Sequence, residues 1–196
     1  MLFDVTRGEL VAAFGEDRLA TLPTTAFPSA AADTEGARLL TAVGVPTGTL
    51  LPRPPDEGTG RLPLVRDVVP VGGAAGDWPV IGWLLAAHLA LDPGSGTVYA
   101  VDADEATVRA LHTDVSSLVH VTLRVERLLG EFTFGDDEEA GFERLEDEVG
   151  RIREETSGVD PLPFQDDGTV WSVVADEIAM GQRFRAGSPG GRSLYG

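Results

Sequence analysis

The chain of 196 residues has no cysteine. That excludes disulfides, thiolate metal sites and a cysteine nucleophile. It has no lysine either, so all fifteen basic residues are arginine. No uncharged apolar stretch approaches the roughly 20 residues that cross a bilayer as a helix. Met1–Leu10 carries Asp4 and Glu9 where a secretory leader needs a basic start and a long apolar run, so a cytoplasmic protein is expected. Histidine is scarce: His88, His112 and His120 show no His-x-x-x-His or His-x-His spacing, so no metal site is expected. There is no Gly-x-Ser-x-Gly elbow around Ser95, Ser116 or Ser117. The glycine-rich Gly72–Gly76 is followed by Trp-Pro rather than by Gly-Lys-Ser/Thr and a helix, which argues against a phosphate-binding loop. No catalytic group, cofactor site or metal site is therefore expected, and the chain reads as a non-enzyme.

What is present is acid. Asp and Glu total 32, for a net charge of −17. Such a surface repels nucleic acid and anionic membranes and speeds encounter with a basic protein. The charge is unevenly spread. Residues 131–160 hold twelve acids and three arginines, net −9. Phe142, Leu145, Val149 and Ile152 recur there at i, i+3, i+7 and i+10, which predicts an amphipathic helix with a solvated acidic face. The run Asp136-Asp137-Glu138-Glu139 lacks the alternating ligand spacing and central glycine of a calcium loop, so it is a diffuse field rather than a cage.

The apolar pattern is centred on Trp78–His112. Val80–Leu91 is an uncharged run, Asp92-Pro93-Gly94-Ser95-Gly96 is a turn, and Thr97–Val101 and Thr107–Leu111 follow as strands. Apolar runs joined by glycine-containing turns predict an antiparallel meander. Leu62–Val71 is also strand-like. Helices are predicted on both sides of the meander. Thr6 and Glu9 have capping-box spacing ahead of a helix closed by Gly15. Asp33 or Thr34 starts a second helix, stopped by Gly44-Val45-Pro46. Ser116 or Ser117 caps a long helix to Gly130, with Leu118, Val121, Val125, Leu128 and Leu129 on one face. Asp167 or Thr169 caps a last helix with Trp171, Val174 and Ile178 inward. The fold class is thus α+β: a single antiparallel or mixed curved sheet with flanking helices, in one domain over 1–185 that includes the acidic helical segment 131–160. Ala186–Gly196 has too little apolar content to fold alone and is predicted to be a disordered tail.

The order of these pieces resembles the SUKH superfamily of bacterial immunity proteins, the group that includes Syd and the yeast Smi/Knr regulators, and within it the fourth family. The resemblance rests on Val5-Thr6-x-x-Glu9-Leu10 running to Phe14-Gly15, and on a leucine helix ending Leu40-Thr41-Ala42-Val43-Gly44-Val45-Pro46. It rests further on Val80-Ile81-Gly82 followed by Leu89-Ala90-Leu91-Asp92-x-x-x-Gly96-x-Val98, and on Val115-Ser116-Ser117-Leu118 opening a long helix. It covers Val5–Gly130, with Trp171–Gly181 as an extension. It implies a SUKH-like sheet-and-helix scaffold that binds and neutralises a cognate polymorphic toxin, commonly a nuclease or nucleic-acid deaminase. The expected partner is then a basic toxin domain, not nucleic acid or membrane. The expected contact residues are Asp136, Asp137, Glu138, Glu139, Glu146 and Asp147. An intracellular adaptor on the same scaffold is the alternative.

Overall fold

The computed structural model describes residues 1–195. The chain forms two compact units, one over Met1–Thr122 and one from Leu123 onward.

In the first unit, Thr6 accepts the Glu9 amide (3.2 Å) and opens α1 (Arg7–Phe14). Thr34 accepts the Ala37 amide (3.2 Å) and opens α3 (Glu35–Ala42), which follows the single turn α2 (Ser29–Ala32). Both caps fall where Thr side chains precede an apolar periodicity. A two-stranded antiparallel pair, β1 (Leu19–Ala20) with β2 (Val45–Pro46), lies apart from the main sheet. The expected single sheet is therefore two. The larger is an antiparallel meander of β3 (Leu50–Pro52), β4 (Val80–Leu84), β5 (Ala87–Leu91), β6 (Val98–Asp102) and β7 (Thr107–His112), paired in that order, so β3 and β7 are its edges.

Two segments of this region differ from the sequence expectation. The uninterrupted Val80–Leu91 run is two strands, folded back at Leu85-Ala86, with Trp83 opposite His88 and Leu84 opposite Ala87. No glycine or asparagine marks that turn; Leu85 itself adopts φ +54°. Leu62–Val71 is not a strand. Leu64 makes one bridge to Pro79, and Val65–Val68 forms the one-turn helix α4, because the Asp67 carboxylate turns back to accept the Leu64 amide (2.9 Å). Val65 and Val69 then cap the sheet face made by Val80, Ala90 and Val101, with Trp78 packed beside them. The opposite face is buried through Leu84, Leu89, Leu91 and Leu111.

α5 (Val115–Glu131) carries a buried stripe of Leu118, Val121, Val125 and Leu129. Neither Ser116 nor Ser117 is its cap. Asp114 Oδ1 accepts the Ser117 amide (3.0 Å) and the Ser116 hydroxyl (2.6 Å), while Oδ2 accepts the Leu2 amide (2.8 Å). Ser116 Oγ in turn accepts the Phe3 amide (3.0 Å). A carboxylate competes better than a hydroxyl for the free amides of a helix start.

In the second unit, Asp137 accepts the Ala140 amide (3.1 Å) and opens α6 (Glu138–Ser157). Gly141, Leu145, Val149 and Ile152 are its buried face. α7 (Val170–Ala179), capped by Thr169, buries Trp171, Val174 and Ile178. Phe132, Phe134, Phe142 and Phe184 close the other end, Phe134 lying 5.0 Å from Phe142 and 5.6 Å from Phe184. The segment expected to be a disordered tail instead forms α8 (Pro189–Tyr195). Its glycines act as packing elements: a Cβ on Gly190 would stand 2.7 Å from the Phe184 ring. Ser188 Oγ accepts the Gly191 amide (3.1 Å) at the helix start. The last residue of that segment, Gly196, lies outside the described residues.

Candidate protein-binding surface

All six acids singled out from the sequence lie in the second unit and all are exposed. Asp136 and Asp137 sit in the turn before α6, Glu138 and Glu139 in its first turn, and Glu146 and Asp147 two turns on. At about 1.5 Å rise per residue, Glu139 and Glu146 are about 10 Å apart along the axis. Glu139, Glu143, Glu146 and Asp147 follow i, i+4, i+7, i+8 spacing and share one side of the helix. The buried positions Gly141, Leu145, Val149 and Ile152 take the other side. The N-terminal half of α6 therefore presents a continuous anionic strip, and its first turn gains from the helix dipole as well.

The arginines of this unit serve other acids. Arg151 donates to both carboxylate oxygens of Glu148 at 3.0 Å, and Arg153 to Asp176 at 2.6 Å. Arg124 pairs with Glu155, Arg183 with Glu177, and Arg185 with Glu126, which is only 1% exposed. Arg144 binds backbone instead, donating to the carbonyls of Ala140 and Phe134 (3.1 and 2.6 Å) and so fixing the Phe132–Asp137 turn against α6. Among the described residues, none of the six strip acids has an ion pair with an arginine; Asp137 is engaged only as the cap. The sequence fails to distinguish acids that are neutralised internally from acids that are not, because the pairing is tertiary. Beside the strip, Arg124, Arg127, Glu131, Phe132, Glu148 and Ile152 line an open groove of about 340 Å³.

In the first unit one polar contact has the look of catalytic machinery. His112 Nδ1 and Ser117 Oγ are 2.9 Å apart. Both residues are fully buried, so no substrate reaches the hydroxyl, and the pair ties the end of β7 to the first turn of α5. Asp114 is the other ionic centre. Burial raises its pKa, but the Ser116 hydroxyl, the Ser117 and Leu2 amides and the Met1 ammonium together outweigh that and hold the carboxyl below the ordinary aspartate value. Among the described residues no three His, Asp or Glu side chains are placed to hold a metal ion. Among the described residues no helix is long and apolar enough to cross a membrane.

Sequence reasoning passed over a second surface. The register aligns Leu51, Trp83, His88, Val101 and Val108 across one face of the large sheet. Val101 and Val108 lie under or beside α4, but the Leu51 end is open: Leu51 is 57% exposed. Arg53 lies over the Trp83 indole, 4.7 Å from its centroid. Burial, with the Arg53 charge adding to it, lowers the His88 pKa below the ordinary histidine value. The signal available in the sequence was only Trp83 and His88 five residues apart, which becomes a cross-strand pair once the turn at Leu85-Ala86 is placed.

The chain was compared with known proteins. No curated protein and no solved structure matches it. One family model does, described as SUKH-4 immunity protein, over residues 5–177. That match runs past the resemblance quoted from the sequence, through the acidic helix α6 and into α7, so the anionic strip lies within the family's own extent and the chain belongs to the SUKH-4 immunity protein family.

Proposed function

We propose that the chain neutralises a cognate polymorphic toxin by binding it, without catalysis, and that residues 1–185 act as one binding domain for this purpose. The toxin is of the nuclease or nucleic-acid deaminase class, and the chain meets it in the cytoplasm. The observation that carries this reading is the strip of six exposed acids on and before α6 that no arginine neutralises, in a chain of an immunity family. An enzyme that acts on nucleic acid needs a basic surface to hold phosphates. A strip of fixed negative charge covers such a surface and draws it in from a distance.

The test pairs growth protection with binding kinetics. Nuclease and deaminase toxin domains from the source cell are each co-expressed with the chain, and protected pairs are measured for association rate against salt. Protection from one such domain is expected, with an association rate that falls steeply as salt rises. Asp136→Lys, Glu139→Lys, Glu146→Lys and Asp147→Lys together should slow association at least tenfold and flatten its salt dependence; Asp137 is spared because it caps α6. Protection with an association rate indifferent to these four changes overturns the strip as the contact surface. Protection from neither toxin class overturns the toxin reading and leaves the adaptor.

A further inference from the structure

The segment after α7 has a composition unlike the rest of the chain. Residues 178–196 hold three arginines and no acid, in a chain of net charge −17, and they lie beyond the family match, which ends at residue 177. The segment is nevertheless firmly seated. Between Gln182 and Tyr195 the one large side chain that is buried is Phe184, whose ring lies 5.6 Å from that of Phe134 and 6.1 Å from that of Phe132. An arginine on each side of it meets an acid: Arg183 pairs with Glu177, and Arg185 with Glu126 of α5 at 2.8 Å. Glu126 is shut away from solvent while Arg185 is half exposed, so the cation reaches a sunken carboxylate from outside. Glu126, Phe132 and Phe134 belong to the matched span; the residues that meet them do not. The join between the two is a strained one. Arg183 holds φ +72°, two residues after Gly181 at φ +78°, and a residue with a β-carbon adopts that region at a cost.

We propose that Glu126, Phe132 and Phe134 form a partner-binding site, that the chain's own Arg183-Phe184-Arg185 fills it as a displaceable strap, and that its occupant in the complex is a loop of a basic protein with an aromatic residue next to an arginine. The chemistry of the occupant follows from what the site demands. A carboxylate removed from water needs a cation, and loss of Arg185 leaves Glu126 uncompensated unless another arrives. Arginine suits it best, because its planar fork gives two parallel hydrogen bonds to a carboxylate. The phenylalanines need a ring, since a gap beside them forfeits dispersion contacts on one side. One buried aromatic residue next to an arginine is also how an anchored peptide binds, with most of its energy in those few residues. The strap therefore keeps the acid paired until a partner with the same side chains replaces it. Phe132 and Phe134 lie in the turn that leads into the anionic strip, so a basic protein drawn to the strip arrives beside the site. A second copy of this chain is a poorer occupant, since it brings another −17 of charge against the first. The proposal rests on the toxin-binding reading for the identity of the partner and names the kind of loop that partner inserts.

Its test needs no toxin. The full chain carrying Phe184→Ser and Arg185→Ser keeps every residue of the site and loses the strap's hold on it. A fluorescent peptide with the sequence of residues 182–195 is titrated against this variant and against the intact chain. The variant should bind the peptide at least tenfold more tightly than the intact chain does, and the peptide should raise the Tm of the variant alone. Peptides with alanine for either the phenylalanine or the second arginine should bind at least tenfold more weakly. A folded variant that binds no peptide, or binds all three equally, overturns the site, the latter because charge attraction alone then accounts for binding. Amide exchange on the intact chain tests the strap without any substitution. The Gly191 and Arg192 amides, which donate to Ser188, should exchange at least tenfold faster than those of Val149 and Val174; equal rates mean that the strap opens only when the whole unit does, and overturn the proposal. A dimer of the intact chain that is absent from the variant puts a second copy's strap in the site and overturns the basic partner. Peptide binding in a chain that protects from no toxin retains the site and removes only the toxin reading.

Discussion

The two units differ in what their arginines hold, although each has one guanidinium over a ring with a buried, unpartnered Nε, Arg53 in the first and Arg153 over Phe164 in the second. In the second, every arginine has an acceptor within the unit, whether the carboxylates of Glu148 and Asp176 or the carbonyls that bind Arg144 and Arg192. There the cation is internal mortar, and the acids it leaves over are the ones that face outward. In the first unit, Arg53 lies on a ring, with Asp56 at 3.6 Å and its Nε unpartnered. The lesson is that net charge alone does not locate a binding surface. What counts is which charges are left unsatisfied by the fold: on α6 they are carboxylates, whereas Arg53 on the sheet already has Asp56.

The sharpest way to break this comparison is to remove the second unit's core and ask whether its charges hold it together. Trp171 is fully buried, and Trp171→Ala should cost about 3–5 kcal/mol in chemical denaturation, far more than any arginine pair in the unit. An intact second unit in that variant would mean that the ion pairs, and not the apolar face, carry it. A smaller change probes the turn that displays the strip. A Cβ on Gly141 would stand 2.8 Å from the Phe134 carbonyl, so Gly141→Ala should cost about 1–3 kcal/mol and raise amide exchange over residues 132–137. Association with a basic partner should change little, since a diffuse field does not depend on local order.

The first unit is sensitive to acid in two steps. His88 has its pKa lowered by burial and by Arg53, so its contribution to stability is complete above the unfolded value of about 6.5 and is lost as pH falls through the lowered folded value. Asp114 also has its pKa lowered, so its contribution is complete above about 3.9 and is lost on further acidification. A denaturation series from pH 8 to pH 3 should show the first loss vanish in His88→Gln and the second in Asp114→Asn; the latter should also cost about 0.5–2 kcal/mol at neutral pH as the α5 cap weakens. The smallest expected effect has the opposite sign. Leu85→Asn should raise stability by about 1 kcal/mol, read as a higher Tm, by relieving the strained turn. An unchanged or lower Tm would show that Leu85 supports the fold after all.

Much of this was legible from spacing. Thr6, Thr34 and Thr169 cap helices because a short polar side chain ahead of an apolar periodicity has little else to do, and Leu145, Val149 and Ile152 face inward because their spacing admits one buried side. The misread segments share a physical cause: a local signal overridden by a contact from farther away. Leu62–Val71 is rich in β-branched residues, yet the Asp67 carboxylate bends it into a turn of helix. The turn at Leu85-Ala86 lacks turn residues because strand pairing on both sides imposes it. The glycines of 186–196 suggest disorder, but the Phe184 ring needs a neighbour with no side chain. Of the strip, the sequence shows the acids but not which of them go unpaired.

The two edges of the large sheet have a consequence for the behaviour of the chain at high concentration. β3 has three residues and ends at Pro52, which has no amide hydrogen to offer a new strand. β7 is longer but holds exposed Arg109, which meets a like charge when two such edges approach in parallel register. With −17 of charge acting between molecules as well, edge-to-edge strand pairing between copies is opposed both by the edges themselves and by the field around them.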